Sequence, residues 1–220
     1  MESNDFLIKL KAKTVELNFE TPNIQSKLEL ISKYRDLLIE ENKKQNLTRL
    51  LSSKDFIEGH VEDAINLEKS GFLRYPAMDL GSGGGVPGIL CAIFDEKPWI
   101  LAESEKRKAQ FLENTLNTLK LSHVFVYAGR GEDYICEHSV QSIVVRAVAP
   151  VDKIYKWIKN CSTWNNLILF KGPKWPKPNA EWDLFSKKHS NRVLKIENKY
   201  HYQVGTAKKQ RVIVNLIRSA

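Results

Sequence analysis

Apolar residues recur at helical spacing in the first part of the chain. Residues 23–43 carry such a pattern, with Tyr34 among its apolar positions, and predict a helix. A second periodic run starts after an S-x-x-D capping box at Ser52 and ends near Gly71. Residues 1–20 are polar, and their weak periodicity defines no element. We therefore expect a helical N-terminal extension over residues 1–72.

The pattern changes after this extension, where short apolar runs alternate with helical patterns. Such alternation predicts a parallel sheet with helices on both faces, here a single domain over residues 73–220. Two further runs around Gly205 predict an antiparallel hairpin at the sheet edge. The predicted strands are 76–80, 98–103, 122–129, 141–147, 165–172, 192–204 and 211–218, and the predicted helices are 86–94, 104–119 and 151–159.

A glycine-rich loop, "MDLGSGGGVPG" (78–88), joins the first predicted strand to the next helix. Glycines at such a turn let a ligand contact backbone N–H groups. The loop is not a P-loop, because no lysine and hydroxyl residue follow its last glycine. Gly83, Gly85 and Gly88 do fit the G-x-G-x-x-G spacing of dinucleotide folds, so a nicotinamide cofactor remains an alternative.

Two acidic residues bear on which ligand the loop binds. Asp79 ends the first strand, where its charge would repel a pyrophosphate. It suits S-adenosylmethionine, which carries a sulfonium and an ammonium group and no phosphate. Glu103 ends the second strand and is placed to bind ribose hydroxyls. Nicotinamide cofactors use that second acid as well, so Glu103 does not choose between the two ligands.

The net charge and the cysteines indicate which partner and which compartment to expect. The net charge of +8 and the isoelectric point of about 9.3 favour a polyanionic partner, with nucleic acid ahead of membrane. No apolar run is long enough to span a bilayer, and the first residues are too charged for a secretory signal. The three cysteines are scattered without zinc spacing, so we expect reduced thiols in the cytoplasm.

Several short motifs, taken in order, resemble the bacterial glucose-inhibited division protein B family. That family comprises 16S ribosomal RNA guanine-N7 methyltransferases. The resemblance implies a Rossmann-like class I S-adenosylmethionine-dependent methyltransferase fold, with a mostly parallel seven-stranded sheet and an antiparallel C-terminal hairpin. The motifs are "NLT" (46–48), "GHVEDA" (59–64), "DLGSGGGVPG" (79–88), "EKRKAQFL" (105–112), "GRGED" (129–133), "VRA" (145–147) and "LFKG" (169–172).

The resemblance also implies site residues and partners. The implied partner is 16S rRNA or the small ribosomal subunit. The protein is expected to be a cytoplasmic monomer that binds neither a membrane nor a metal ion. Guanine N7 has a free lone pair, so its methylation requires no general base. Arg146, Lys171, His60 and Asn46 are the expected catalytic residues. The expected donor-binding residues are Asp79, Gly81, Ser82, Gly83, Gly85, Pro87, Gly88, Glu103, Gly129, Arg130, Gly131, Glu132 and Arg146.

Four positions depart from the family pattern, namely Gly59, Glu103, Gly131 and Val145. Glu103 keeps the charge of the usual aspartate with a longer reach, whereas the other three leave the RNA target open. The departures motivate a second alternative, a catalytically inactive rRNA-binding assembly factor on a methyltransferase fold. The first alternative remains an NAD(P)-dependent oxidoreductase.

Overall fold

The computed structural model describes residues 2–161, 163–176, 181–189 and 194–218. A seven-stranded sheet runs through it in the order β3-β2-β1-β4-β5-β7-β6. The strands are β1 (Ala77–Leu80), β2 (Trp99–Ala102), β3 (Val124–Tyr127), β4 (Ser142–Val145), β5 (Asn166–Lys171), β6 (Leu194–Val204) and β7 (Lys209–Arg218). The helices are α1 (Glu2–Glu16), α2 (Ile24–Asn42), α3 (Ser53–Phe56), α4 (Glu62–Ser70), α5 (Gly88–Asp95), α6 (Lys106–Leu119), α7 (Gly131–Glu137), α8 (Val151–Ile158) and α9 (Glu181–Lys188), and a π-helical turn (Ile57–Val61) joins α3 to α4.

The sheet has the predicted topology. Strands β1 to β5 pair in parallel, and β1 lies between β2 and β4. Strand β7 is inserted between β5 and β6 and is antiparallel to both. Every residue of β1, β2 and β4 is buried, as expected for central strands covered on both faces. The α/β fold with a mostly parallel seven-stranded sheet and an antiparallel C-terminal hairpin is confirmed.

Helices cover the two faces of the sheet unequally. Helices α1 to α6 pack on one face, and their buried residues join side chains such as Leu101 and Ile168 in a single apolar core. Helices α7 to α9 cover the other face, against residues such as Met78 and Ile143. Since the N-terminal helices share the core of the sheet, they brace the glycine loop from one side. The domain boundary at residue 72 stays a prediction.

Three helices are additional to those predicted. Helix α1 forms although its periodicity is weak: Phe6 and Leu10 are fully buried in the apolar core, and Leu7 packs against it. Helices α7 and α9 are too short for their periodicity to stand out. The first two residues of the predicted strand 192–204 lie outside the described residues.

The cysteines differ from the expectation of three reduced thiols. Cys136, in the last turn of α7, and Cys161, just after α8, form a disulfide, and Cys91 is free and buried. The two bonded residues are 25 positions apart in sequence, yet their Cα atoms are 4.7 Å apart because α7 and α8 pack side by side. Sequence spacing alone does not show such proximity. Among the described helices, none has the length and apolarity to cross a membrane.

Candidate active site

The glycine loop folds back on the end of β2. The N–H groups of Gly81 and Ser82 both donate to the carbonyl oxygen of Ala102, at 2.9 and 3.0 Å. Gly85 has a φ of +94°, and a Cβ there would lie 2.5 Å from Cδ1 of Ile89. The loop therefore requires glycine for its backbone shape as well as for ligand approach.

Asp79 lies beneath this loop and is only 2% exposed. Its Oδ2 accepts a hydrogen bond from the N–H of Gly88, the first residue of α5, at 2.9 Å. Burial raises the pKa of the Asp79 carboxyl to about 7, although the Gly88 N–H and Arg146 act in the opposite direction. A carboxylate thus occupies the helix N-terminus where a dinucleotide fold would hold its pyrophosphate.

Glu103 connects the glycine loop to the end of β2. Its Oε2 accepts from the N–H of Gly83 and its Oε1 from the N–H of Glu105, both at 2.8 Å. The second bond holds the N–H of Glu105, which is the N-cap residue of α6. Each carboxylate oxygen keeps acceptor capacity for a further donor such as a ribose hydroxyl. The longer side chain at this position is compatible with a nucleoside site.

Tyr34 of α2 holds the glycine loop from the other side. Its hydroxyl donates to the carbonyl oxygen of Gly84 at 2.7 Å, and the side chain is fully buried. Burial raises the pKa of the Tyr34 phenol, so it remains a hydrogen-bond donor. The sequence pattern places Tyr34 on the apolar face of a helix and does not predict its contact with the loop. The periodicity that placed it there gives no sign of such a polar bond.

A cleft of about 270 Å³ opens at the carboxyl ends of β1 and β2. Gly131 lines this cleft and packs closely against Leu80, since a Cβ at position 131 would lie 2.3 Å from Cδ1 of Leu80. This contact accounts for the departure from the family pattern at Gly131. Arg130 pairs with Glu132 at 2.7 Å and lies 5.5 Å from the ring centroid of Trp157, at the mouth. The lining residues are Leu80, Gly81, Ala102, Ser104, Gly129, Arg130, Gly131, Glu132, Val148, Lys153 and Trp157.

A second cavity, which we call the basic groove, measures about 490 Å³ and adjoins the first. Ala147 lines the groove and Val148 lines the cleft, so one step of the chain after β4 separates the two. Ala147 has a φ of +57°, a left-handed conformation that a residue with a Cβ seldom adopts. Strain of this kind is concentrated at functional sites. The groove is lined by Asp63, Arg146, Ala147, Phe170, Lys171, Gly172, Tyr202, Lys209, Gln210 and Arg211.

Asp63 holds the charged side chains of the basic groove together. Its Oδ1 accepts from the hydroxyl of Tyr202, at 2.7 Å, and from Nη1 of Arg211. Its Oδ2 lies 3.4 Å from Nε of Arg146. The carboxylate is 2% exposed, so its negative charge is fully committed to these two guanidinium groups. Neither Asp63 nor Arg211 is among the site residues expected from the sequence.

His60 supports Arg146 from behind. Its Nδ1 lies 3.0 Å from Nη1 of Arg146, which only donates, so the ring proton resides on Nε2 and is donated to Oγ1 of Thr48. Burial first, and then the charge of Arg146, lowers the pKa of His60 to about 3, so the ring is neutral. Nη2 of Arg146 donates to the carbonyl oxygen of Gly59 at 2.8 Å. Both nitrogens of His60 are therefore engaged in positioning.

The other expected catalytic residues occupy different surroundings. Lys171 ends β5 at the rim of the groove, with Nζ 5.8 Å from the ring centroid of Trp175. Asn46 is exposed, and it is Asn42 whose Oδ1 accepts the N–H groups of Leu47 and Thr48 in the adjacent turn.

The expected donor-binding residues divide into two sets. Gly81, Gly129, Arg130, Gly131 and Glu132 line the cleft itself. The others form the structure behind it: Ser82 donates to the carbonyl oxygen of Asp79, Pro87 precedes α5, and Arg146 belongs to the basic groove. Asp79, Gly83, Gly85, Gly88 and Glu103 shape the loop as described above.

The remaining departures from the family pattern have local explanations. A Cβ at Gly59 would lie 2.3 Å from Cδ1 of Leu50, so glycine lets Leu50 pack against the π-helical turn. Val145 is 3% exposed and contributes to the apolar core under α7 to α9. Gly59 contacts Arg146 through its backbone carbonyl oxygen, and this contact does not depend on the side chain at position 59. Within the described part of the chain, no three His, Cys, Asp or Glu residues are grouped to hold a metal ion.

The amino-acid sequence is similar to a known protein family and to individual curated proteins. A family model described as rRNA small subunit methyltransferase G matches residues 27–213. The chain is 34% identical over 178 residues to a ribosomal RNA small subunit methyltransferase G from Rhodopirellula baltica, covering 76% of each chain. It is 30% identical over 200 residues to the protein of that name from Petrotoga mobilis, covering 86% of this chain and 85% of the relative.

Solved structures share the fold at low identity. MtNAS in complex with MTA and tNA superposes with a TM-score of 0.59 at 16% identity, covering 96% of this chain and 82% of that one. A putative RNA methyltransferase from Pyrococcus horikoshii has a TM-score of 0.52 at 13% identity, covering 84% of this chain and 99% of that one. At these identities the likeness concerns the fold alone.

Proposed function

The chain belongs to the rRNA small subunit methyltransferase G family, and on that premise we propose that it methylates N7 of a guanine in small-subunit rRNA. The methyl donor is S-adenosylmethionine. The observation that carries the proposal is a pair of adjoining cavities, separated by Ala147 and Val148. One is a cleft lined by several glycines, and the other is the positively charged basic groove. One suits a nucleoside and the other a nucleic-acid backbone.

The donor occupies the cleft at the carboxyl ends of β1 and β2. Gly81, Gly129 and Gly131 allow its nucleoside to approach the backbone, and Glu103 is placed to accept its ribose hydroxyls. Asp79 lies buried under the loop, and its ionised form favours a cationic sulfonium over a pyrophosphate. This arrangement argues against the nicotinamide alternative, whose pyrophosphate would need the N–H of Gly88.

The RNA occupies the basic groove. Positive charge for phosphates comes from Arg146, Lys171, Lys209 and Arg211, and among the described residues Asp63 is the one acidic residue that lines the groove. Asp63 and His60 act as positioning residues, because they fix Arg146 at the boundary with the donor cleft. The groove binds and orients the RNA so that the target base faces the donor across Val148.

The transfer needs orientation rather than proton removal. The lone pair of guanine N7 attacks the methyl carbon, the sulfur–carbon bond breaks with its electron pair going to sulfur, and the positive charge passes from the sulfonium to the base. No proton leaves N7, so no general base is required. His60 is neutral and has both nitrogens engaged, which is consistent with such a reaction. The rate enhancement comes from in-line placement of the reacting atoms.

We propose a cytoplasmic protein that acts as a monomer on 16S rRNA or the small subunit. The test compares the nucleosides of 16S rRNA from a gene-deletion strain with those after complementation, by mass spectrometry. We expect one 7-methylguanosine to disappear on deletion and to return with the intact gene, and unchanged 7-methylguanosine would reject the assigned reaction. RNA binding without methyl transfer by the purified protein would instead favour the inactive assembly factor.

Cofactor identity is tested separately by calorimetry. We expect the purified protein to bind S-adenosylmethionine and S-adenosylhomocysteine but neither NADH nor NADPH. Binding of a nicotinamide cofactor in the absence of any S-adenosylmethionine binding would restore the oxidoreductase alternative.

A further inference from the structure

The disulfide between Cys136 and Cys161 joins the two helices that form the outer wall of the donor cleft. Helix α7 begins with the cleft residues Gly131 and Glu132 and carries Cys136 in its last turn. Helix α8 contributes Trp157 to the cleft, four residues before Cys161. The bond therefore ties together, from outside, the two helices that form this wall of the cleft.

We propose that Cys136 and Cys161 form a redox-active modification site that reacts with low-molecular-weight disulfides and thiols and sets the affinity of the donor cleft. The proposal rests on the proposed function, since it concerns the cleft assigned there to S-adenosylmethionine. It assigns the site a regulatory effect on donor binding and no part in methyl transfer.

The exposure of the cysteines supports this assignment. Cys136 is exposed, whereas Cys161 is 2% exposed, so a reagent from solvent reaches Cys136 first. Cys91 is fully buried in the core, where burial raises the pKa of its thiol and keeps it unreactive. Disulfides in reducing compartments, where an rRNA enzyme acts, are mostly catalytic or redox-sensing.

The exchange reaction balances in two steps. The Cys136 thiolate attacks one sulfur of the small disulfide, whose sulfur–sulfur bond breaks and releases one thiolate. The Cys161 thiolate then attacks Sγ of Cys136, which breaks the mixed disulfide and releases the second thiolate. The protons of the two cysteines pass to the released thiolates. The protein pair is oxidised by two electrons, and the small disulfide is reduced to two thiols.

The linkage to the cleft passes through short contacts. Sγ of Cys161 lies 3.5 Å from the carbonyl oxygen of Glu132, a cleft residue. Oγ1 of Thr163 donates to the carbonyl oxygens of Ile135, at 2.6 Å, and His138, at 3.1 Å, at the far end of α7. The oxidised pair holds α7 against the segment after α8 and so pre-organises the cleft. Reduction removes the covalent link, so part of the free energy of donor binding is then used to order α7 against the segment after α8.

The test measures the affinity for S-adenosylhomocysteine by calorimetry after treatment with oxidised glutathione or with dithiothreitol. Peptide mapping under both conditions establishes the state of the cysteines. We expect the Cys136–Cys161 bond after oxidation and a dissociation constant about fivefold higher after reduction. The Cys136→Ser variant should match the reduced protein and ignore both reagents, whereas Cys91→Ala should respond like the wild type.

Three results would overturn the proposal. The first is that both thiols remain free after treatment with oxidised glutathione. The second is that the disulfide forms but the dissociation constant is the same in both states. The third, absence of S-adenosylhomocysteine binding in every state, would also reject the donor site of the proposed function, whereas the first two leave that function intact.

Discussion

The donor cleft and the basic groove adjoin each other, but backbone groups shape the first and charged side chains shape the second. The cleft is shaped by backbone: its walls are glycines and main-chain hydrogen bonds, such as the N–H of Gly83 to Glu103. The groove is shaped by charged side chains from distant parts of the chain, held in one network by Asp63. A backbone-walled site suits a ligand shared across a fold, and a side-chain network suits a site adapted to one acceptor.

This difference predicts separable losses of function, and the largest concerns Asp63. We expect Asp63→Asn to lower kcat/KM for RNA by about 10²-fold, because Arg146 and Arg211 lose the buried charge that orients them. Donor affinity, measured by calorimetry, should change less than about twofold, since Asp63 does not line the cleft.

The matched control for this variant is Asp152→Asn. Asp152 also pairs with cations, Lys156 and Lys188 among them, but it lies outside the basic groove and is more exposed than Asp63. Its ion pairs should contribute little, and RNA methylation should be nearly unchanged. If Asp63→Asn impairs donor binding as much as RNA methylation, then the two sites are not separable as described.

The second prediction concerns Gly131 in the donor cleft. A methyl group there would lie 2.3 Å from Cδ1 of Leu80 and 3.0 Å from Cβ of Ala102, so either the start of α7 or the Leu80 side chain must move. Such overpacking costs about 1–3 kcal/mol. We expect Gly131→Ala to raise the dissociation constant for S-adenosylmethionine by about tenfold, measured by calorimetry.

Gly172→Ala provides the comparison for Gly131→Ala. A Cβ at Gly172 meets no atom within 4 Å, so this variant should bind the donor like the wild type. Unchanged donor affinity in Gly131→Ala would mean that the cleft is not the donor site, or that its wall yields without loss of fit.

The third and smallest effect is the pH dependence of donor binding through Asp79. Its pKa is raised to about 7, so the carboxyl is largely protonated at pH 6 and becomes ionised as the pH rises through 7. The ionised form attracts the sulfonium, so we expect wild-type affinity to increase about fivefold between about pH 6 and about pH 8.

In Asp79→Asn this increase should be lost, because the amide keeps the hydrogen bond to Gly88 without titrating. Titrations of both proteins at each pH isolate the contribution of Asp79, since ionisation of the donor itself affects them equally. An identical pH profile in the two proteins would show that the charge of Asp79 does not act on the donor.

The sequence predicted the backbone-walled cleft better than the side-chain network. The loop, its position after β1 and the spacing of Asp79 and Glu103 are local features, and they follow from one βαβ unit. The family, the fold, the methyl donor and the class of reaction were predicted correctly. The individual site residues remain predictions, because the structure establishes their positions and not their effect on catalysis.

The rest of the site depends on contacts between distant segments, which local patterns do not encode. Asp63 and Arg211 are 148 residues apart in sequence, and Tyr34 and Gly84 are 50 residues apart. Periodicity placed Tyr34 on an apolar helix face, and Cys136 and Cys161 had no spacing that signals a pair. Burial likewise decided the state of His60, whose imidazole would be titratable near neutral pH in an exposed position.

The insertion of β7 between β5 and β6 bears on how the protein is made. Strand β7 is the last described strand in sequence, and it carries Arg211 into the network around Asp63. On a translating ribosome, the residues that form the donor cleft emerge before β7 does. Assembly of the basic groove must therefore wait until β7 has emerged, so a nascent chain with a formed cleft still lacks the groove that we propose binds RNA.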